Sequence, residues 1–207
     1  SNDLVLGDDG KYHIDFDDFE KQIVDNHVVL FLLCSLHNPV SRVWTAEELT
    51  KMGDICIKHG VTVVSDEIHE DFVFGDHQHT VFATIKKEFE QNSVTCTSPA
   101  KTFNLAGLVG SYTIIYNPWL RDRFEKEQSL SHFNEMNLMS MYALLGAYQP
   151  EGYEWLEELR QVLTENVDYA CAFIAGHFPG VTVQKPQGTY MLFIDCTDWC
   201  QAHGVTL

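Results

Sequence analysis

The sequence predicts an α/β fold: a three-layer large domain on a mostly parallel sheet, followed by the start of a small α+β domain. Three observations predict it. Short apolar runs alternate with amphipathic helical stretches. Some of the runs are continuously apolar, as in strands buried on both faces. Three of them end in polar clusters, His37-Asn38, Asp66 to His69, and Ser98 to Lys101, and ligands of such sheets bind beyond the carboxyl ends of strands.

The elements follow in order. The first twenty residues are acidic, with Asp8-Asp9-Gly10 as a turn. Asp17 and Glu20 suit the cap of a helix over 18–26. Residues 28–34 are apolar without a break and read as a buried strand. Thr45 and Glu48 form a capping box for a helix over 46–59, and Gly60 suits its C′ position. A second strand is expected over 61–65, a short helix over 81–90, and further strands over 93–97 and 111–116. Asn117-Pro118 starts a helix to about residue 129. From Asn137 the chain turns helical. Residues 153–175 read as one amphipathic helix with Trp155, Leu159, Val162, Leu163 and Val167 on one face. Short strands follow over 181–184 and 190–194. The change of pattern places a domain boundary near Tyr153, giving units 1–152 and 153–207.

Composition narrows the partners. The 207 residues are 45% hydrophobic, enough for a packed core. Thirteen basic against thirty acidic residues leave a net charge of −17, which repels polyanions. Nucleic acid and anionic membrane are therefore not expected partners, whereas a few local donors can still hold a small anion. The longest apolar run is too short to span a bilayer, and no signal-peptide pattern opens the chain. Cysteines 34, 56, 96, 171, 196 and 200 lie mostly in apolar runs without a CxxC pair, as for free thiols of a cytoplasmic protein.

Lys101 follows a buried strand and precedes an apolar segment, so it is expected in a pocket. Burial favours the neutral amine, which attacks aldehydes. Ser98, three residues earlier, offers a hydroxyl to a phosphate oxygen. The same Ser-x-x-Lys spacing occurs in acyl-serine enzymes of the β-lactamase type, whose Ser-Asp-Asn and Lys-Thr-Gly partners are absent here. Asp66 ends an apolar strand and needs a partner there. A helix cap or a salt bridge would serve, and so would a protonated pyridine nitrogen. Alternation along the strand puts Ile68 on the face of Asp66, against a cofactor ring. Asn38 stands in an Asn-Pro turn dipeptide, and its amide suits a phenolic oxygen.

Other clusters read as structural. His77-Gln78-His79 is expected as a solvated loop rather than half a metal site. Asp15, Asp17 and Asp18 lack the glycine and distal glutamate of a calcium loop. Cys196 and Cys200 have no second pair, and Met136, Met139 and Met141 read as packing. No metal is expected.

Taken together, His37-Asn38-Pro39, Ser65-Asp66-Glu67-Ile68-His69 and Ser98-Pro99-Ala100-Lys101-Thr102-Phe103-Asn104-Leu105-Ala106-Gly107 resemble the class I/II aminotransferase-fold (fold type I) enzymes of pyridoxal 5′-phosphate (PLP). The resemblance continues through 143–148, Trp155-Leu156 and Gly188-Thr189-Tyr190, and so covers nearly the whole chain. It implies that Asn38 bonds the cofactor 3′-oxygen, Asp66 the pyridine nitrogen and Lys101 the aldehyde carbon, with Ser98 at the phosphate and Ile68 and His69 lining the ring. His69 stands where many aminotransferases have tyrosine, and Val109 where many have a phosphate-binding arginine. Both departures resemble the cystathionine β-lyase subgroup, the MalY/PatB type. The resemblance thus implies a carbon–sulfur β-lyase of small amino acids, with an aminotransferase or a truncated, non-catalytic domain as the alternatives. It also implies a homodimer in which active sites borrow residues from a neighbouring subunit. The family's N-terminal phosphate loop and C-terminal carboxylate-binding arginine have no counterpart in these residues, so the chain is expected to be a fragment, inactive by itself.

Overall fold

The computed structural model describes residues 2–132 and 136–206. Ser1, in the acidic opening stretch, and Leu207, at the end of the second unit, lie outside them. Strands β1 (Leu4–Leu6) and β2 (Tyr12–Ile14) form an antiparallel hairpin around the expected Asp8-Asp9-Gly10 turn. Helix α1 spans Phe16–Asp25. Its cap is Asp15, two residues before the expected Asp17, because the Asp15 carboxylate reaches the N–H groups of both Asp17 and Asp18.

Strand β3 (Leu30–Cys34) leads to helix α2 (Ala46–His59). The capping box is complete: Thr45 Oγ1 accepts from Glu48 N at 3.1 Å, and the Glu48 carboxylate accepts from Thr45 N at 2.9 Å. Gly60 ends the helix at φ +67°, a left-handed conformation that only a residue without Cβ adopts cheaply. Strand β4 (Thr62–Asp66) follows. The helix expected over 81–90 is split into a 3-10 turn at Phe82–Thr84 and helix α3 (Lys87–Gln91), because Lys86 is extended between them. Strand β5 is Ser93–Thr97, helix α4 is Pro99–Thr102, and strand β6 is Tyr112–Ile114.

The sheet order is β3-β4-β5-β6. The first three strands are parallel and β6 runs antiparallel to β5. One face of the sheet carries Phe31, Leu33 and Val63 into a core with Phe19, Ile23, Trp44, Leu49, Met52, Cys56, Phe82 and Phe89, contributed by α1, α2 and the 82–89 segment. The six cysteines are free thiols, and burial pushes that of Cys56 up to about 12. The reading of β3 as buried on both faces is corrected. Leu33 is buried but Leu32 is 70% exposed, because β3 is an edge of this four-stranded sheet and its other face is uncovered among the described residues.

Helices α5 (Pro118–Ser131), α6 (Leu138–Ala147) and α7 (Pro150–His177) follow. Met139 and Met141 lie exposed on α6 rather than packed. On α7 the buried stripe is Leu156, Leu159, Leu163 and Val167, spaced at i, i+3 and i+4, with the first and last buried and the other two half-buried. Trp155 and Val162 are exposed; each sits one residue, about 100°, off that stripe. Strands β7 (Thr182–Val183) and β8 (Ile194–Asp195) pair antiparallel, and helix α8 (Thr197–His203) follows. The strand expected over 190–194 is reduced to its last residue. Thr189 N bonds to Phe72 O at 2.7 Å and draws the preceding chain onto the large sheet's loops.

Candidate active site

The three parallel strands end level with one another. Cys34, Asp66 and Cys96 are Cα partners across β3, β4 and β5. The ladder runs one step further, with Ser35 N donating to Asp66 O and Glu67 N to Cys96 O, both at 2.9 Å. The chain therefore leaves all three strands at one edge of the sheet and delivers the three polar clusters there.

Asp66 is exposed while its neighbours Ser65 and Glu67 are buried, as strand alternation requires. Its Oδ1 accepts from Ile68 N at 3.2 Å. Strand alternation does not extend to Ile68, which corrects the expectation for it. The strand stops at Asp66, and Glu70 N bonds back to Glu67 O at 2.9 Å, so Ile68 stands in a turn, half-buried. Asn38 is exposed, and its N–H donates to Cys34 Sγ at 3.4 Å, which ties this loop to the strand end beside Asp66. Burial first, and the Asp66 charge in addition, push the thiols of Cys34 and Cys96 up.

Lys101 is half-buried in the short helix α4, entered through Ser98 as cap and Pro99. Ser98 Oγ accepts from Ala100 N at 3.0 Å and donates to Gly110 O at 2.5 Å. Its one hydrogen is therefore engaged, and an anion bound there must draw it away from Gly110.

His69 joins the clusters. It is 3% exposed. Burial first, and the Lys101 ammonium second, hold its imidazole below the ordinary histidine range, while Asp66 pulls the other way. The ring's Nδ1 has no hydrogen-bond partner among the described residues. An enclosed imidazole nitrogen without a partner, three residues beyond the strand-end carboxylate of Asp66, fits a ligand that brings its own polar oxygen.

Sequence reasoning missed a second layer. Glu67, fully buried, and Glu70 and His79 bring their ligand-type atoms within 4.8 Å of one another. His79, expected in a solvated loop, is half-buried against Glu67, which corrects that reading. One signal was available: Glu67 shares the parity of Ser65 in β4, the core-facing side. Tyr190 was also missed as a neighbour of the site; its ring lies 5.4 Å from that of His69.

Parallel strands β3, β4 and β5 packed on helices, with polar loops at their shared carboxyl edge, define an α/β protein, and that edge is where ligands of such sheets bind. The profile of the family described as aminotransferase class I and II matches residues 6–202, and the chain belongs to that family. It is 41% identical over 191 residues to cystathionine beta-lyase PatB of Bacillus subtilis, covering 92% of this chain and 49% of that protein. It is similar in structure to cystalysin of Treponema denticola, whose crystal structure contains pyridoxal 5′-phosphate. The TM-score is 0.89 at 36% identity, over 94% of this chain and 49% of the other. The PLP-bound C-S lyase of Staphylococcus hominis gives a TM-score of 0.91 at 30% identity, over 99% of this chain and 50% of the other. The chain spans about half the length of these relatives.

Proposed function

We propose that the full-length protein carrying this chain is a PLP-dependent carbon–sulfur β-lyase. It would cleave sulfur amino acids such as cystathionine to a thiol, pyruvate and ammonia. The observation that carries this reading is the level carboxyl edge of β3, β4 and β5, from which the segments bearing Asn38, Asp66 and Lys101 all leave, in a chain this similar to named carbon–sulfur lyases. The residues present fit the cofactor. An exposed strand-end carboxylate suits a protonated ring nitrogen, a half-buried amine suits an aldehyde carbon, and the unpartnered His69 Nδ1 suits a ring oxygen.

Bound PLP supplies a sink for the electrons freed at the amino acid's Cα. Lys101 would hold the aldehyde carbon in the resting protein; once the substrate's amino group replaces it there, the freed Nζ would be placed to take the proton from Cα. Asp66 keeps a proton on the ring nitrogen. Asn38 would hold the ring's 3′-oxygen, with His69 nearby, and Ser98 would contribute to the phosphate. Residues 1–152 would belong to the cofactor-binding domain and 153–207 to a second one. The exposed apolar residues Leu138, Met139, Met141, Tyr142 and Leu145 of α6 favour a homodimer. A cytoplasmic location accords with the free thiols; among the described residues no helix is long and apolar enough to cross a membrane.

The family description favours a second reading, an aminotransferase. It shares the removal of the Cα proton by Lys101 and differs in where that proton returns. Assaying the full-length protein for pyruvate released from cystathionine, against amino transfer that requires an added keto acid, separates the two. Keto-acid-dependent transfer without pyruvate release overturns the lyase reading.

A further inference from the structure

The turn before Tyr190 is held by buried contacts from two loops. Thr189 is fully buried at φ +63°, a conformation that β-branched residues rarely adopt and keep only where their surroundings over-determine it. Thr189 N donates to Phe72 O at 2.7 Å, and Thr189 Oγ1 lies 2.7 Å from Ser41 Oγ. Met191 N donates to Thr189 Oγ1 at 3.2 Å, and Ser41 Oγ to Met191 O at 3.0 Å. Gly188 is wedged so closely that a Cβ would stand 2.0 Å from Leu36 Cδ2 and 2.5 Å from Phe72 O.

The outcome is the position of one side chain. The Tyr190 ring meets His69 edge-on at 5.4 Å and 63°, and Phe72 at 5.3 Å and 88°. Tyr190 is still 41% exposed, so part of its ring remains open to a ligand. The His69 ring that it touches stands three residues beyond Asp66, in the turn by which the chain leaves the end of β4.

We infer that Tyr190, backed by the buried His69 ring, is a further, specificity-determining residue of this site, whose exposed ring receives the side chain of the amino-acid substrate. The inference rests on the proposed reading of the site as one for PLP and an amino acid. An amino acid whose Cα lies at Lys101 must direct its side chain to one side of the site, and the exposed part of Tyr190, packed on the buried His69 ring, offers an aromatic surface for it. A thioether suits such a surface, because sulfur contacts aromatic rings favourably at their rim. The phenol adds a polar handle at the open end of an apolar body.

The test uses the full-length protein as wild type, Y190A, Y190L and Y190F. PLP uptake is read from visible absorbance. Methionine, a thioether, and alanine, which lacks one, are then titrated as binding probes. Y190A is expected to take up PLP like wild type and to weaken methionine by up to about tenfold, with alanine changed less than twofold. Y190L, which keeps apolar volume, shifts methionine in the same direction, and Y190F, which keeps the ring, shifts it less. Equal weakening of both probes, or no change in either, overturns the inference. So does loss of PLP uptake in both Y190A and Y190L, since the ring would then be structural. A wild type that takes up no PLP removes the reading of the site and this inference together, whereas the preceding outcomes remove the inference alone.

Discussion

His79 Nε2 lies 2.7 Å from Glu67 Oε2, joining a histidine side chain that is 9% exposed to a carboxylate with no exposure at all. The other oxygen of Glu67 accepts from Ser65 Oγ at 2.7 Å and from Phe82 N at 3.1 Å. This carboxylate therefore ties the end of β4, one residue beyond Asp66, to the loop that returns at 79–82. Removing this carboxylate strands the buried groups bonded to it, at a cost of about 1–3 kcal/mol. E67A is expected to lower unfolding stability by that order in urea titrations. A change below about 1 kcal/mol, the level of a surface substitution, would show that the network contributes little.

Lys101 is expected to be the point of cofactor attachment. In K101A, the full-length protein should keep its melting temperature without added cofactor, because the half-buried amine forms no ion pair among the described residues. It should lose the visible absorbance that wild type gains on adding PLP. A K101A protein with the wild-type band would move the attachment to another residue.

The buried histidines make stability depend on pH in a defined direction. Burial first, with Arg42 for His37 and Lys101 for His69, holds both imidazoles below their ordinary value of 6.5. The unfolded chain then takes up protons near 6.5 before the folded one does, so stability falls as pH is lowered from there through the depressed folded values. Above 6.5 neither group contributes a slope. H69Q should flatten the acid limb in denaturation series between pH 7 and about 5; an unchanged limb would place the slope elsewhere. Glu70 works in the opposite sense. Burial is the first cause that raises its carboxyl, so its contribution is fully present below the ordinary 4.5 and is lost as pH rises through the raised value. E70Q, which keeps an acceptor for Thr97 Oγ1, should remove that loss.

Gly188 and Gly107 form a matched pair for mutation. A Cβ at Gly188 meets Phe72 O, a backbone atom held in place, whereas one at Gly107 meets nothing within 4 Å. G188A is expected to cost at least about 1–3 kcal/mol and G107A less than about 0.5 kcal/mol, measured by the shift in urea midpoint. Equal effects would mean that the 187–191 turn gives way easily.

What could be read from the sequence divides along physical lines. Helix α2 and strand β5 run over the residues expected, because their limits are set by local chemistry: the Thr45–Glu48 box, the left-handed Gly60, and the cap at Ser98 that follows β5. The cap of α1 was displaced because Asp15, Asp17 and Asp18 are all competent, and only backbone geometry selects Asp15. The exposure of Leu32 depends on whether anything lies over the sheet, which a strand's own residues do not encode. Asp66 and Lys101 stand out in the sequence because charge at the end of an apolar strand is locally unusual. The Glu67–His79 contact and the Tyr190–His69 contact are made across turns whose course no local pattern determines.

The Ser41–Thr189 contact joins residues 148 positions apart. On a ribosome adding about 5–20 residues per second, the second hydroxyl follows the first by roughly 7–30 seconds. Strands β3 to β5 and helix α2 are complete long before that, and their local pairings can form while translation continues. Leu36 and the Phe72 carbonyl must wait for Gly188 and Thr189, so closure of this contact follows the pairing of the strands beside it. Destabilising changes at 187–191 should therefore act after the nascent sheet has formed, lowering the yield of finished protein more than the formation of its core.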